Sequence, residues 1–138
     1  MQYWLVKSEP AAYSWEQFIR EGKVVWDGVR NYQARNNLRE MKKGDLVMFY
    51  HSISGKQVMG IARVTREHYP DPATDDERWV VVEMKPEMDL DRPVSLEAIK
   101  GDERLSQIAL VRQGRLSVMP LKREEFDAIV EMGTDQHG

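Results

Sequence analysis

Leu46-Val47-Met48-Phe49-Tyr50-His51 and, after Ser52-Ile53-Ser54-Gly55-Lys56, Gln57-Val58-Met59-Gly60-Ile61-Ala62-Arg63-Val64-Thr65-Arg66 together decide the fold. The first run is continuously apolar until its last two residues, as a buried strand requires. Ser54-Gly55-Lys56 is a turn, and the second run is again β-rich, so the pair reads as an antiparallel hairpin. Gly60 and Ala62 leave room for close packing or a bend, as a small barrel needs. Working outward, Gln2–Lys7 reads as an earlier strand, Trp79–Met84 and Arg115–Met119 as later ones, the last stopped by Pro120. Tyr69–Glu77 reads as an acidic surface loop, and Pro86–Pro93 as a connection. Helices are expected after Ser14 (with Gln17 at the capping-box position and Gly22 as the stop), over Asn31–Met41, from Ser95 to Lys100, and over Glu124–Met132. A further helical turn falls at Leu105–Leu110. Strands interleaved with short helices, joined by tight turns, predict an α+β fold built on a small, mainly antiparallel β-barrel.

The chain of 138 residues fits one domain, expected over 1–133 with a frayed tail at 134–138. It has no cysteine, which suits a reducing compartment and removes disulfide and thiolate chemistry. No run approaches the ~18 apolar residues of a membrane span, and the first residues lack a signal-peptide pattern. A monomeric, cytoplasmic protein with no membrane partner is therefore expected. The net charge of −3 argues against bulk electrostatic binding to nucleic acid. Its distribution matters more, because residues 1–50 carry a net +2 and Arg30–Lys43 hold five basic groups against Glu40. A small basic patch on an acidic body suits local recognition of one nucleotide.

That patch begins in Val25-Trp26-Asp27-Gly28-Val29-Arg30-Asn31-Tyr32-Gln33-Ala34-Arg35-Asn36. An indole beside Asp-Gly is costly to leave in water unless it packs or stacks. Asn31 is a good helix N-cap, which puts Arg30 and Arg35 at the positive end of the helix dipole, where cations are not favoured. Free backbone N–H groups and two guanidinium groups there suggest a phosphate site, with Trp26 beside it as a stacking surface for a base. Trp4, Trp15 and Trp79 lie on periodic apolar faces and are assigned to the core. Tyr50 and His51 stand where a barrel mouth would open, as a binding edge or as a satisfied network. Arg115 and Ser117 share one strand face, either paired with a carboxylate or facing a ligand.

Other chemistry finds little support. His51, His68 and His137 share no metal-binding spacing, and no cofactor motif is present. Lys7-Ser8 and His51-Ser52 are adjacent strand residues facing opposite sides, so neither makes a nucleophile–base pair. Asp75-Asp76 and Glu124-Glu125 read as solvated surface.

Tyr3-Trp4-Leu5-Val6-Lys7-Ser8-Glu9-Pro10, Trp26 to Asn36, Phe49-Tyr50-His51-Ser52, Gly60-Ile61-Ala62 and Arg115-Leu116-Ser117-Val118-Met119-Pro120 closely resemble the EVE domain family, with the blocks in order from residue 1 to about 132. The resemblance implies a PUA-like fold, a curved barrel flanked by helices, and a binding module in place of an enzyme. It implies a pocket for a nucleobase of DNA or RNA, expected to be modified, such as a methylated or oxidised cytosine. Carried over by motif, the expected pocket residues are Lys7, Ser8, Trp26, Arg30, Asn31, Arg35, Tyr50, His51, Arg115 and Ser117. Lys122 departs from the pattern, standing where a capping Ser or Thr is usual. The rival readings are a nucleotide-modifying or hydrolysing enzyme using His51 as general base, and a peptide-binding module gripping through the Trp26 loop.

Overall fold

The computed structural model describes residues 1–134; of the expected tail, residues 135–138, His137 among them, lie outside the described residues. In chain order the elements are β1 (Tyr3–Ser8), α1 (Trp15–Glu21), β2 (Val24–Trp26), α2 (Tyr32–Glu40), β3 (Leu46–His51), β4 (Gln57–Pro70), β5 (Val80–Ser95), α3 (Leu96–Lys100), a 3₁₀ turn (Glu103–Leu105), α4 (Ala109–Arg112), β6 (Val118–Leu121) and α5 (Arg123–Gly133). The six strands form one sheet in the order β2-β5-β4-β3-β1-β6, flanked by helices.

The α+β class stands, and the expected barrel does not: the sheet stays open, with β2 and β6 at its edges. Of the two expectations for Gly60 and Ala62, close packing or a bend toward closure, the sheet does not close and Gly60 serves the close packing. A β-carbon there would run into the Trp15 indole, which α1 lays across β4. Trp15 is fixed in that pose by its indole N–H, which donates to Asp89 Oδ1 at 2.5 Å. The hairpin itself forms as read, with Phe49 opposite Gly60 and a bulge between Phe49 and Tyr50. β1 departs from the antiparallel expectation. It pairs parallel to β3, with Val6 opposite Phe49, and antiparallel to β6. The parallel pairing is possible because the intervening chain, carrying α1, β2 and α2, is long enough to cross over.

Several boundaries shift for physical reasons. Val24–Trp26 is a short strand on β5, with Trp26 opposite Val82. The segment read as a connection, Pro86–Pro93, belongs to β5. β2 covers only Val82–Met84 there, so beyond Lys85 no other strand of the described residues runs along that flank of β5 and proline is tolerated. Tyr69-Pro70, read as loop, closes β4, and Asp71 just after it is buried rather than solvated. The last strand starts at Val118, leaving Arg115 and Ser117 outside it. Pro120 does not stop this strand but sits within it, at the sheet edge. Trp79, assigned to the core, is only half-buried.

The caps follow the sequence. Ser14 Oγ accepts from the Gln17 N–H at 3.1 Å, and Ser95 Oγ accepts from Ala98 at 3.1 Å. Lys122 lacks a capping hydroxyl, but Glu125 Oε1 accepts its N–H at 2.7 Å, keeping half of a capping box. The core is one cluster around Phe18, Phe49, Leu38, Met48 and Ile129. Asp45, 2% exposed, ties β1 to the α2–β3 turn. It accepts from the Gln2 N–H (3.0 Å), the Trp4 indole (3.0 Å) and the Lys42 N–H (2.9 Å). No buried side-chain nitrogen or oxygen among the described residues lacks a partner.

Candidate functional site

The end of β1, the end of β2 and the approach to α2 converge on a cleft of about 630 Å³. That lies within the range of small-molecule sites. Lys7, Ser8, Trp26, Arg30, Asn31 and Ser117 all line it, joined by Tyr13 and Gly28.

Each wall is set locally. Ser8 Oγ donates to the Tyr13 carbonyl at 2.5 Å, and the Tyr13 N–H donates to the Glu9 carbonyl at 2.8 Å. This tight turn folds Tyr13 back over the sheet, where its ring meets Trp26 edge-on at 6.5 Å and 78°. Trp26 also meets Phe49 at 5.7 Å and 84°, a second T-shaped contact that fixes the indole. Only 9% of Trp26 is exposed: it is at once part of the core and a wall of the cleft. Lys7, half-buried, donates from Nζ to the Gly114 carbonyl at 2.7 Å. Burial lowers its pKa from the usual lysine value.

After Trp26 the chain turns at Gly28, whose φ of 74° suits glycine. The Gly28 N–H donates to Asp71 Oδ2 at 3.4 Å, and Arg30 Nη1 donates to the same oxygen at 3.1 Å. The Asp71 side chain has no exposure, while Arg30 keeps 41%. Burial alone would push the Asp71 carboxyl up. Bonds from the Ala73 N–H, Arg30 and Gly28 outweigh it and hold the carboxyl below its ordinary value. Asp71 therefore remains an anion that aims Arg30.

On its other side Arg30 lies over the Trp79 ring, 5.5 Å from the centroid. Trp79 in turn packs on Tyr32 at 5.3 Å and 30°. Arg35 does not line the cleft. It sits over Tyr32 at 5.0 Å and Trp79 at 5.9 Å, on the same aromatic platform as Arg30. Asn31 caps α2, its Oδ1 accepting the Ala34 N–H at 2.9 Å. Its amide NH₂ makes no hydrogen bond among the described residues and is a donor at the cleft wall.

The remaining expected residues lie elsewhere. Tyr50 lines a neighbouring hollow, His51 is buried outside the cleft, and Arg115 is exposed and lines neither. His51 Nε2 accepts the Trp15 N–H at 2.9 Å, and burial lowers its pKa, with Glu16 acting weakly against that. Its lone pair is taken up, which removes the one natural general base. Ser8, with its proton on a carbonyl, has no base to activate it. No group of three His, Asp or Glu side chains among the described residues could hold a metal. Asp71 and the Tyr32–Trp79 pair were missed because nothing local ties residues 71–79 to 28–35. An apolar Trp after an acidic run was the only signal.

A model of the EVE domain matches residues 2–132. Mouse thymocyte nuclear protein 1 is 36% identical over 165 residues, covering 94% of this chain and 73% of that protein. The crystal structure of Atu2648 from Agrobacterium tumefaciens is 44% identical with a TM-score of 0.94, covering 96% of this chain and 93% of that one. The human THYN1 protein, solved in complex with 5-methylcytosine-containing DNA, is 29% identical with a TM-score of 0.91, covering 99% of each chain.

Proposed function

Because the chain belongs to the EVE domain family, we propose that it is a reader, not an enzyme, that captures one modified cytosine of a nucleic-acid strand in the cleft beside Trp26. The observation that carries this reading is the convergence of Trp26, Ser8, Asn31 and the Asp71-aimed Arg30 on one hollow of about 630 Å³. The human relative bound to 5-methylcytosine-containing DNA supports the choice of base.

The donors and acceptors suit cytosine. Its exocyclic N4 group donates, while its N3 and O2 accept. Ser8 Oγ, whose proton goes to Tyr13, offers only lone pairs, which match the N4 amino group. The Asn31 NH₂, left over from capping, donates toward N3 or O2. Val29 and Ala12, apolar members of the wall, give a 5-methyl group somewhere dry to lie. Stacking on the indole is worth about 1–3 kcal/mol, and Arg30, half-exposed at the cleft wall, takes an adjacent phosphate. Withdrawing a base from a duplex costs a few kcal/mol, so single strands and weakened pairs bind better than intact duplex. The human relative was solved with DNA, so DNA is the first probe and RNA the comparison arm of the experiment. An intracellular location goes with this reading, since the absence of cysteine suits a reducing compartment.

Trp26 is part of the core, so truncation to alanine would confuse unfolding with lost binding. Trp26→Leu keeps an apolar, though smaller, side chain at this core position and removes the stacking face. Fluorescence anisotropy with single strands carrying one 5-methylcytosine is expected to show at least a tenfold loss for Trp26→Leu. The wild type is expected to prefer the methylated strand over the unmodified one. A folded Trp26→Leu protein with native affinity removes the reading.

A further inference from the structure

Beside the base cleft lies a second hollow of about 680 Å³, and Lys7 and Ser117 line both. Its remaining walls include Lys56, Lys100, Tyr50 and Ile53, and no carboxylate lines it. Lys56 and Lys100 are exposed, and neither makes a side-chain hydrogen bond or ion pair among the described residues. The two lysines are brought together by the Leu96 N–H, which donates to the Lys56 carbonyl at 2.9 Å and anchors α3 to the β3–β4 turn. On a chain of net charge −3, three cations around one hollow with no acid among them stand out against the background.

Ile53 marks the same rim. It is 69% exposed and has φ of 67°, a left-handed conformation that is a genuine outlier for a β-branched residue. The Ser54 N–H donates to the Ser52 carbonyl at 2.7 Å, so Ile53 is the central residue of a γ-turn, a strained form at positive φ. Neither its exposure nor its backbone helps the fold, and such outliers gather at ligand clamps.

Resting on the base-capture reading, we propose that the second hollow carries the strand on one side of the captured base: Lys56 and Lys100 hold its phosphates and Ile53 lies against the neighbouring base. Arg30 and Arg35 then serve the other side, and the strand crosses Lys7 and Ser117 as it leaves the cleft. Recognition is thus of a base within a strand of defined path, with an apolar contact to the next nucleotide.

The test compares 5-methyl-2′-deoxycytidine, which has no phosphate, with a single-stranded oligonucleotide carrying one central 5-methylcytosine. Lys56→Gln combined with Lys100→Gln is expected to bind the oligonucleotide roughly tenfold more weakly at low salt, with a salt slope shallower by about 1.4, from about 0.7 per single-strand phosphate. Nucleoside affinity is expected to stay unchanged. Ile53→Gly relieves the backbone, so its melting temperature should hold or rise while oligonucleotide affinity falls about threefold. Native affinity and slope in the double lysine variant overturn the track and leave base capture standing. Native affinity in Ile53→Gly overturns the apolar contact. A wild type that binds neither probe overturns both readings. Conversely, lysine dependence with no effect of Trp26→Leu keeps the track and removes base capture.

Discussion

Two buried aspartates show how one device serves two ends. Asp45 and Asp71 are 2% and 1% exposed, and both gather N–H donors from chain segments far apart in sequence. Burial opposes ionisation in each, and the hydrogen bonds win, so both carboxyls stay below the ordinary value near 3.8. The partners differ. Those of Asp45 are backbone amides, the Trp4 indole and the Gln2 amide, all neutral, so its charge is used up in closing β1 onto the α2–β3 turn. Asp71 adds Arg30, which remains 41% exposed at the cleft. A buried anion with neutral partners secures the fold, while one with a half-exposed cation also sets where a positive charge points.

The strongest way to break this contrast is Asp45→Ala. It strands the buried Trp4 indole N–H and the part-buried N–H groups of Gln2 and Lys42 and is expected to cost roughly 3–4 kcal/mol, a fall in melting temperature of about 10 °C. Affinity for a methylcytosine strand should stay within about twofold when measured on folded protein. Asp71→Ala comes next, with about 2 kcal/mol of stability and about tenfold in affinity lost together. Stability lost without affinity there would erase the distinction between the two residues. Acid sharpens it further. A carboxyl depressed in the folded state stabilises above its unfolded value, and that stability disappears as pH falls through the folded value. Urea midpoints should therefore begin to fall below about pH 6.5, where His51 protonates more readily unfolded than buried, and drop further below about pH 4, the second step less steeply in Asp45→Asn. Smallest is Arg30→Gln. The exposed guanidinium is screened, so under about 1 kcal/mol of stability should go, with about fivefold in affinity and a shallower salt slope.

What could be read in advance was local. Ser14, Asn31 and Ser95 cap their helices because a cap is decided within four residues. The Trp26–Asn31 wall was legible for the same reason: an indole, a glycine turn and a capped helix follow one another directly. Pairings between distant segments were not. Nothing within Tyr3–Ser8 says that it lies parallel to Leu46–His51, and Asp71 looks like any acidic loop residue until Gly28 and Arg30 are beside it. Trp79 shows a strand-like apolar neighbourhood, yet Tyr32 and the two arginines draw it to the surface. Tyr50 and His51 were placed by an expected barrel mouth, and because the sheet stays open with β2 and β6 at its edges they fall outside the cleft.

The place of β1 carries a cost for the chain's own synthesis. Residues 3–8 lie between β3 and β6, and β6 is residues 118–121. One flank of this early strand has nothing to bond until more than a hundred further residues have left the ribosome, about ten seconds at typical translation speed. During that interval an apolar ribbon of Trp4, Leu5 and Val6 presents open backbone groups, the kind of stretch that chaperones bind and that pairs wrongly with its own copies on crowded polysomes.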